Sequence, residues 1–176
     1  MHKKSNGPLT GLKVIDMTHH LAGPTCGLML ADLGAEVIKI EKIPGGDDSR
    51  RSVPPKISDE SAAFMMMNRN KCGVALNLKT EGGKQILRRL TTDADILIEN
   101  FRPGTMERLG VGYESLKDSN PGLIYGIISG FGITGPYRSR GGFDLVAQGM
   151  SGLMSITGDA SGTTPTKVGA PVTDIT

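Results

Sequence analysis

"LKVIDMTHHLAGPTCGLMLADLGAEVIKIE", residues 12–41, decides the fold. Its opening, "LKVID" (12–16), is a short β-like run. "GPTCGLMLADLG" (23–34) then carries apolar residues at helical spacing and stops at Gly34, a residue suited to the left-handed position after a helix. "AEVIKIE" (35–41) is a second strand. The alternation continues. "KIPGGDDSRRSVPP" (42–55) reads as loop from its Pro and Gly content. "GVALNLK" (73–79) is a third strand. "TEGGKQILRRLTTDA" (80–94) is an amphipathic helix with Ile86, Leu87 and Leu90 on one side. "DILIEN" (95–100) is a fourth strand and "GLIYGIIS" (122–129) a fifth, with "TMERLG" and "YESLKDS" as short helical pieces between them. Alternating strands and helices, with strands that are near-continuous Val/Ile/Leu runs, predict an α/β fold: a Rossmann-like parallel sheet with helices on both faces.

Composition narrows the function. The 176 residues suffice for one core of ordinary size or for part of a larger one. A formal net charge of +2, from 20 basic and 18 acidic residues, is not the footprint of a nucleic-acid binder. The lack of Trp, with 4% aromatic residues, argues against a base-stacking platform. Cys26 and Cys72 lie far apart and fit no zinc or redox spacing, so both are expected to be reduced, core-like thiols. "MHKKSNGPLTGLKVID" has an early charge pair but no apolar segment behind it, so it does not read as a secretory signal. No apolar run approaches the ~20 residues of a membrane helix. A cytoplasmic protein is expected.

In open α/β sheets ligands bind outside the carboxyl ends of the strands. Polar clusters follow the strands here: "MTHH", "EK", "NLK" and "ENFRPG". They should share one sheet edge. That edge would also collect Lys42, Arg50, Arg51, Lys79, Arg102 and Arg108, which suit a ligand with several phosphates. There is no GxGxxG and no Walker loop, so a nicotinamide or ATP site lacks its main support. His19 and His20 are adjacent and point in opposite directions, which makes them a poor metal pair; one packed and one solvent-facing ring is the plain alternative to a place in the ligand cleft or in proton transfer. Met65, Met66 and Met67 read as core filling first and as an acyl-chain contact second. In "SRGGFDLVAQGMSG" (139–152), Asp144 stands at the start of a helix-like run. Capping is the commoner role of such an Asp. Gly149 and Gly152 are expected on one side of that helix, for close packing.

"DMTHHLAGP", "DLGAEVIKIE", "GDDSR", "NRNK", "LNLK", "ENFRPGTMERLGVGYE", "SGFGITGPY" and "GGFDLVAQGMSGLMSITG" occur in this order. Together they resemble the class III coenzyme A transferases, the formyl-CoA transferase and carnitine CoA-transferase (CaiB/BaiF) family. The resemblance runs from about Leu9 to the last residue. It implies a nucleophilic aspartate at Asp144. It implies CoA contacts from His19, His20, Leu21 and Ala22, from Lys42, from Leu76 and Lys79, and from Asn100, Phe101, Arg102 and Arg108; Arg140 is a looser match. Family members are longer, so residues 1–176 are expected to be the N-terminal part of the large CoA-binding domain, with a second domain elsewhere and an interlocked homodimer in the full-length protein. No permanent cofactor and no metal are implied; acyl-CoA and a carboxylic acid are the substrates, with no nucleic-acid or membrane partner.

The chemistry implied is covalent. Asp144 would attack a thioester to give a mixed anhydride, thiolate would return to give an aspartyl-CoA thioester, and an incoming acid would reverse the sequence. A helix N-terminus would keep Asp144 ionised, and Gly141 and Gly142 would let the backbone approach the acyl group. Formyl-CoA transferases have Gln at the position of Leu21, so a bulkier or more apolar acid than formate or oxalate is expected. Two alternatives stand beside this reading. The α-methylacyl-CoA racemases resemble the chain in most blocks, but carry His where Phe143 stands, and Phe cannot shuttle a proton; Asp174 lies where they place an acid. The other is a truncated CoA-binding fragment without activity. The donor and acceptor acids are not legible in the sequence.

Overall fold

The computed structural model describes residues 7–162 and 164–176. The early charge pair of the N-terminal stretch lies outside the described residues. The chain divides into two compact units, one running to Ile128 and the other covering Ser129–Thr176.

Among its described residues the first unit holds seven strands and five α-helices: β1 Lys13–Asp16, α1 Ala22–Asp32, β2 Glu36–Lys42, β3 Lys56–Ile57, β4 Glu60–Ser61, α2 Ala62–Asn68, β5 Lys71–Leu76, α3 Glu81–Thr92, β6 Ile96–Glu99, α4 Thr105–Leu109, α5 Tyr113–Leu116 and β7 Ile124–Ile127. The five expected strands form one sheet in the order β5-β2-β1-β6-β7. Every pairing in it is parallel, for example Ile15↔Ile38 and Ile15↔Leu97. All carboxyl ends therefore share one edge, as the sequence requires. The order runs outward from β1 through β2 to β5, then jumps back to β6 and β7. The switch falls between β1 and β6, where a crevice opens in folds of this kind.

Period-two alternation sends the β1 side chains to two cores. Val14 packs with Val37, Ile98 and Ala31 on the face covered by α1. Ile15 and Met17 pack with Ile40, Leu97, Leu87, Met106 and Leu116 on the face covered by α3, α4 and α5. Covering on both faces holds for β1, β2 and β6. It does not hold for the edge strands, where most of β5 and β7 is half-buried or exposed.

Helix ends follow local chemistry. Gly34 takes φ +105 just past α1, where the N–H of Gly34 donates to the Ala31 carbonyl. Thr80 caps α3 through Oγ1, which accepts from the Gly83 N–H at 3.2 Å.

Three expectations need correction. Ile86 is 46% exposed, because the buried face of α3 is set by Leu87 and Leu90 and Ile86 lies one step round the helix. Cys72 is exposed, since edge strand β5 turns it to solvent; Cys26 is half-buried against the α1 core, and neither is in a disulfide. The loop read over 42–55 contains a short 3-10 turn, Asp48–Arg51. Helix α2 is additional to the expected elements. Its signal was Ser61, whose Oγ accepts from the Phe64 N–H, ahead of an apolar run. Within it Met67 is buried, while Met65 and Met66 are exposed.

The second unit carries α6 Asp144–Met150, a 3-10 turn Leu153–Ser155 and α7 Val172–Ile175. Among the described residues no helix is long and apolar enough to cross a membrane.

Candidate active site

The carboxyl edge of the sheet is built around buried charge. Asp16 ends β1 fully buried. Its Oδ1 accepts from the Thr18 N–H (2.9 Å) and hydroxyl (2.5 Å), and its Oδ2 pairs with Lys71 Nζ at 2.8 Å. Lys71 Nζ also donates to the Pro24 carbonyl (2.8 Å) and Asn68 Oδ1 (3.1 Å). Burial pulls the Lys71 ammonium below its usual range, against the pull of Asp16. One strand over, Lys39 is 1% exposed; Nζ donates to the Thr18 carbonyl at 2.7 Å and pairs with Asp47 Oδ2 at 2.9 Å. Asp47 Oδ1 accepts from the backbone of Ser49 (2.9 Å) and His20 (3.1 Å). Burial works to raise the Asp47 pKa, but Lys39 and these N–H groups outweigh it and bring it to about 2.

Asn100 ties the loop after β1 to the loop after β6. Asn100 Oδ1 accepts from the His19 N–H and Asn100 Nδ2 donates to the His19 carbonyl, each at 2.8 Å. The pairing spans the switch point. The His19 ring lies 5.2 Å from Phe101 and is half-buried, and burial lowers its pKa. His20 is exposed at φ +66, with Nε2 3.7 Å from Asp48. One histidine is thus packed and one faces solvent. Leu21 precedes α1, its carbonyl accepting from the Thr25 N–H and hydroxyl at 2.9 Å, and Ala22 is the first residue of the helix. His19, His20, Leu21, Ala22, Asn100 and Phe101 are therefore brought together.

The six basic residues differ from one another. Arg50 is locked: its guanidinium grips Glu41 at 2.7 and 2.8 Å, reaches Glu60 at 3.0 Å and lies 3.6 Å over the Phe64 ring. The Arg50 hydrogen bonds hold the Glu41 carboxyl below its usual range. Lys42 and Arg51 share Asp48, at 2.7 and 3.0 Å. Lys79, Arg102 and Arg108 are exposed and make no ion pair among the described residues; Arg108 donates to Thr105 Oγ1 at 2.9 Å. Leu76 lies opposite Lys42 in the β2–β5 register, but its side chain belongs to the buried core, leaving only its backbone at the edge.

In the second unit Asp144 is the first residue of α6 and partly exposed. Its carboxylate is bound by more distant groups than the first-turn amides of a capping Asp. Oδ1 accepts from the Thr173 N–H (3.1 Å) and hydroxyl (2.7 Å), and Oδ2 accepts from Gln148 Nε2 (2.6 Å). Gln148 is fully buried, and its Oε1 accepts from the Val168 N–H at 2.8 Å. That bond fixes which way the amide faces. Burial works to raise the Asp144 pKa, but the donors from Thr173 and Gln148 outweigh it and hold it below the usual value. Phe143, just before it, is 62% exposed. Gly142 serves a local purpose: a Cβ there would meet Gly130 Cα at 2.4 Å, so two backbone segments cross at this point. Gly152 ends the helical run at φ +81, and a Cβ on Gly149 would meet nothing nearer than Met154 Sδ at 3.7 Å, so neither glycine is there for close packing. Arg140 is exposed and lies 4.1 Å over the Tyr137 ring.

Asp16, Lys39, Asp47, Lys71, Gln148 and Thr173 are not among the residues expected from the sequence. A lysine inside "VIKIE" was a signal for the first group, because a charge on a buried strand needs a partner.

The sequence matches the model of CoA-transferase family III over residues 9–176. It is 47% identical over 174 residues to a succinate–glutarate CoA-transferase of Agrobacterium fabrum, covering 96% of this chain and 43% of that protein. It is 49% identical over 166 residues to an acetyl-CoA:oxalate CoA-transferase of Acetobacter aceti, covering 94% and 42%. The crystal structure of a CaiB/BaiF family protein from Brucella suis superposes with a TM-score of 0.91 at 46% identity, over 97% of this chain and 46% of that one. The chain thus spans less than half the length of these relatives. With a parallel sheet covered on both faces at its central strands, a polar switch-point edge and the ordered blocks that match, the chain belongs to CoA-transferase family III.

Proposed function

We propose that the protein moves coenzyme A from an acyl-CoA thioester to a free carboxylic acid, with Asp144 as the covalent nucleophile. The observation that carries this reading is the Asp144 carboxylate, held ionised by donors on both oxygens at the start of α6. Attack on the thioester carbonyl gives a mixed anhydride and CoA thiolate. Thiolate attack on the aspartyl carbonyl releases the first acid and leaves an aspartyl-CoA thioester, and the incoming acid runs the exchange backwards. High-energy bonds are traded one for another throughout.

CoA is taken at the carboxyl edge of the sheet, against the loops of His19–Ala22 and Asn100–Phe101. Lys79, Arg102 and Arg108 are the cations left for its phosphates, with Lys42 shared with Asp48. The acceptor is a carboxylic acid bulkier or more apolar than formate or oxalate. Half-buried Leu21 gives an apolar wall, which rewards each buried methylene by ~0.8 kcal/mol. The Agrobacterium relative's name, a succinate–glutarate transferase, supports a dicarboxylate; the oxalate named for the Acetobacter relative makes short diacids a necessary part of the panel.

The test uses full-length protein, one acyl-CoA donor and a panel of free acids. Asp144→Asn and Asp144→Ala should abolish exchange while leaving CoA binding intact, and hydroxylamine should convert Asp144 to a hydroxamate only when acyl-CoA is present. More than a few percent of the exchange rate in Asp144→Ala would remove Asp144 from the reaction.

A further inference from the structure

Resting on the assignment of Asp144 as nucleophile, we infer that Thr173 is a catalytic residue: its N–H and hydroxyl form the oxyanion hole for every attack made on the aspartyl carbonyl carbon, and Oδ2 is the oxygen that attacks substrate.

The two carboxylate oxygens are not equivalent. An ionised carboxylate oxygen has two lone-pair sites. On Oδ1 both are used, by the Thr173 N–H at 3.1 Å and the Thr173 hydroxyl at 2.7 Å. The same hydroxyl lies 3.2 Å from the Asp144 carbonyl, so the shorter bond to Oδ1 takes its single proton. On Oδ2 one site is used, by Gln148 Nε2 at 2.6 Å, and no donor among the described residues takes the other. The attacking pair is that other one on Oδ2.

The consequences follow atom by atom. Oδ2 bonds to the acyl carbon and the thioester C–S bond breaks, so Oδ2 becomes the bridging oxygen of the anhydride and Oδ1 its aspartyl carbonyl oxygen. When thiolate attacks Cγ, the carbonyl electron pair moves onto Oδ1. That charge appears where two donors already point. Collapse re-forms the Cγ–Oδ1 double bond and breaks Cγ–Oδ2. Oδ2 leaves with the first acid, and Gln148 Nε2 donates to it as it departs. In the second half the incoming carboxylate attacks the same Cγ, and Oδ1 again takes the charge. The attack on the substrate thioester differs, since its oxyanion forms on the acyl group, away from Thr173. Thr173 therefore serves the steps at Cγ and leaves the first step without its help.

Full-length protein is mixed with acyl-CoA in the absence of acceptor, quenched over time, and read twice: free thiol by a colorimetric reagent, and the CoA adduct on Asp144 by mass spectrometry. Wild-type protein should form the adduct with little free thiol in advance of it. Thr173→Val should release thiol at an undiminished rate and form the adduct roughly a hundredfold more slowly, the usual loss for one oxyanion donor, so that thiol accumulates first. Thr173→Ser, which keeps both donors, should restore the wild-type course. If Thr173→Val slows thiol release as much as adduct formation, or slows neither, the oxyanion role is overturned. If Thr173→Ser behaves like Thr173→Val, the hydroxyl is not the active element and the inference also falls. If wild-type protein forms no CoA adduct on Asp144, it is the nucleophile assignment that fails, a result distinct from both.

Discussion

Replacing Asp47 by Asn isolates the buried charge pair at the sheet edge. Asn retains an oxygen for the N–H groups of Ser49 and His20, now at 2.9 and 3.1 Å, and removes the charge opposite Lys39. The Lys39 side chain is 2% exposed, so among the described residues its ammonium would keep the Thr18 carbonyl at 2.7 Å as its hydrogen-bond partner and lose its paired carboxylate. Breaking such a pair from one side costs roughly 3–5 kcal/mol. Lys39→Met alone should cost less, because Asp47 keeps its backbone donors. The double variant Lys39→Met/Asp47→Asn should recover most of the loss, since a neutral pair carries no unpaired charge. The pH dependence gives a second reading. The Asp47 carboxyl has an ordinary value of 3.8 and sits at about 2 in the fold, so its ionised form contributes about 2 kcal/mol. The folded value is depressed, so that contribution is fully present above pH 3.8 and fades as pH falls toward 2. Urea unfolding midpoints of the full-length protein at unchanged slope measure both effects. An Asp47→Asn cost below about 1 kcal/mol, or a double variant no better than the worse single one, would refute the argument.

Two further outcomes follow from the same edge. Arg102→Ala and Arg108→Ala should raise KM for acyl-CoA with smaller effects on kcat, and Lys79→Ala should do the same; steady-state kinetics with unchanged KM and lowered kcat would contradict a phosphate role. Glu99 is 6% exposed and burial raises its pKa above 4.5, so its folded form is favoured at low pH and loses that advantage as pH rises; Glu99→Gln, which keeps an acceptor for the Phe101 N–H (now 2.7 Å from Oε2), should raise the unfolding midpoint at neutral pH and lose its lead below pH 4.5.

Much of the sheet was legible because β1, β2 and β6 are central, and central parallel strands must be apolar on both faces. The edge positions of Cys72 and Ile127 were not, because an edge strand carries the same residue types with half the burial. At the site, position on the chain was readable and partnership was not. The "THH" and "NFR" blocks stand after strands, so their shared edge follows from parallel order alone. That Asn100 would pair with the His19 backbone depends on β1 and β6 being neighbours, and strand order is not written in the local pattern. The same holds for Asp144. Gln148 stands four residues along the helix, a spacing that puts two side chains on one face, and could have been named. Thr173 stands 29 residues away and no spacing rule links the two.

The environment of Asp144 also bears on which reaction of a CoA thioester it suits. A proton-transfer base works best with a pKa near the operating pH, which for a carboxyl means a value pushed up. Here burial pushes that way, but the donors on both oxygens win and the value falls. A weakly basic carboxylate is a poor base and a good leaving group. The anhydride route needs both properties: Asp144 must stay ionised to attack, and in the last step it must be expelled when thiolate attacks the acyl carbon. The residue beside it agrees, for the Phe143 ring has no atom that can carry a proton. The same low basicity limits its strength as a nucleophile, which is tolerable only because the partner is an activated thioester. An Asp144→Glu variant would separate these demands: it keeps the carboxylate but carries it one methylene beyond the hydroxyl of Thr173, now at 2.7 Å, so exchange should collapse with no appearance of α-proton exchange into solvent. Robust α-proton exchange by the wild-type protein, seen as deuterium uptake into the acyl group, would instead turn the reading toward proton transfer.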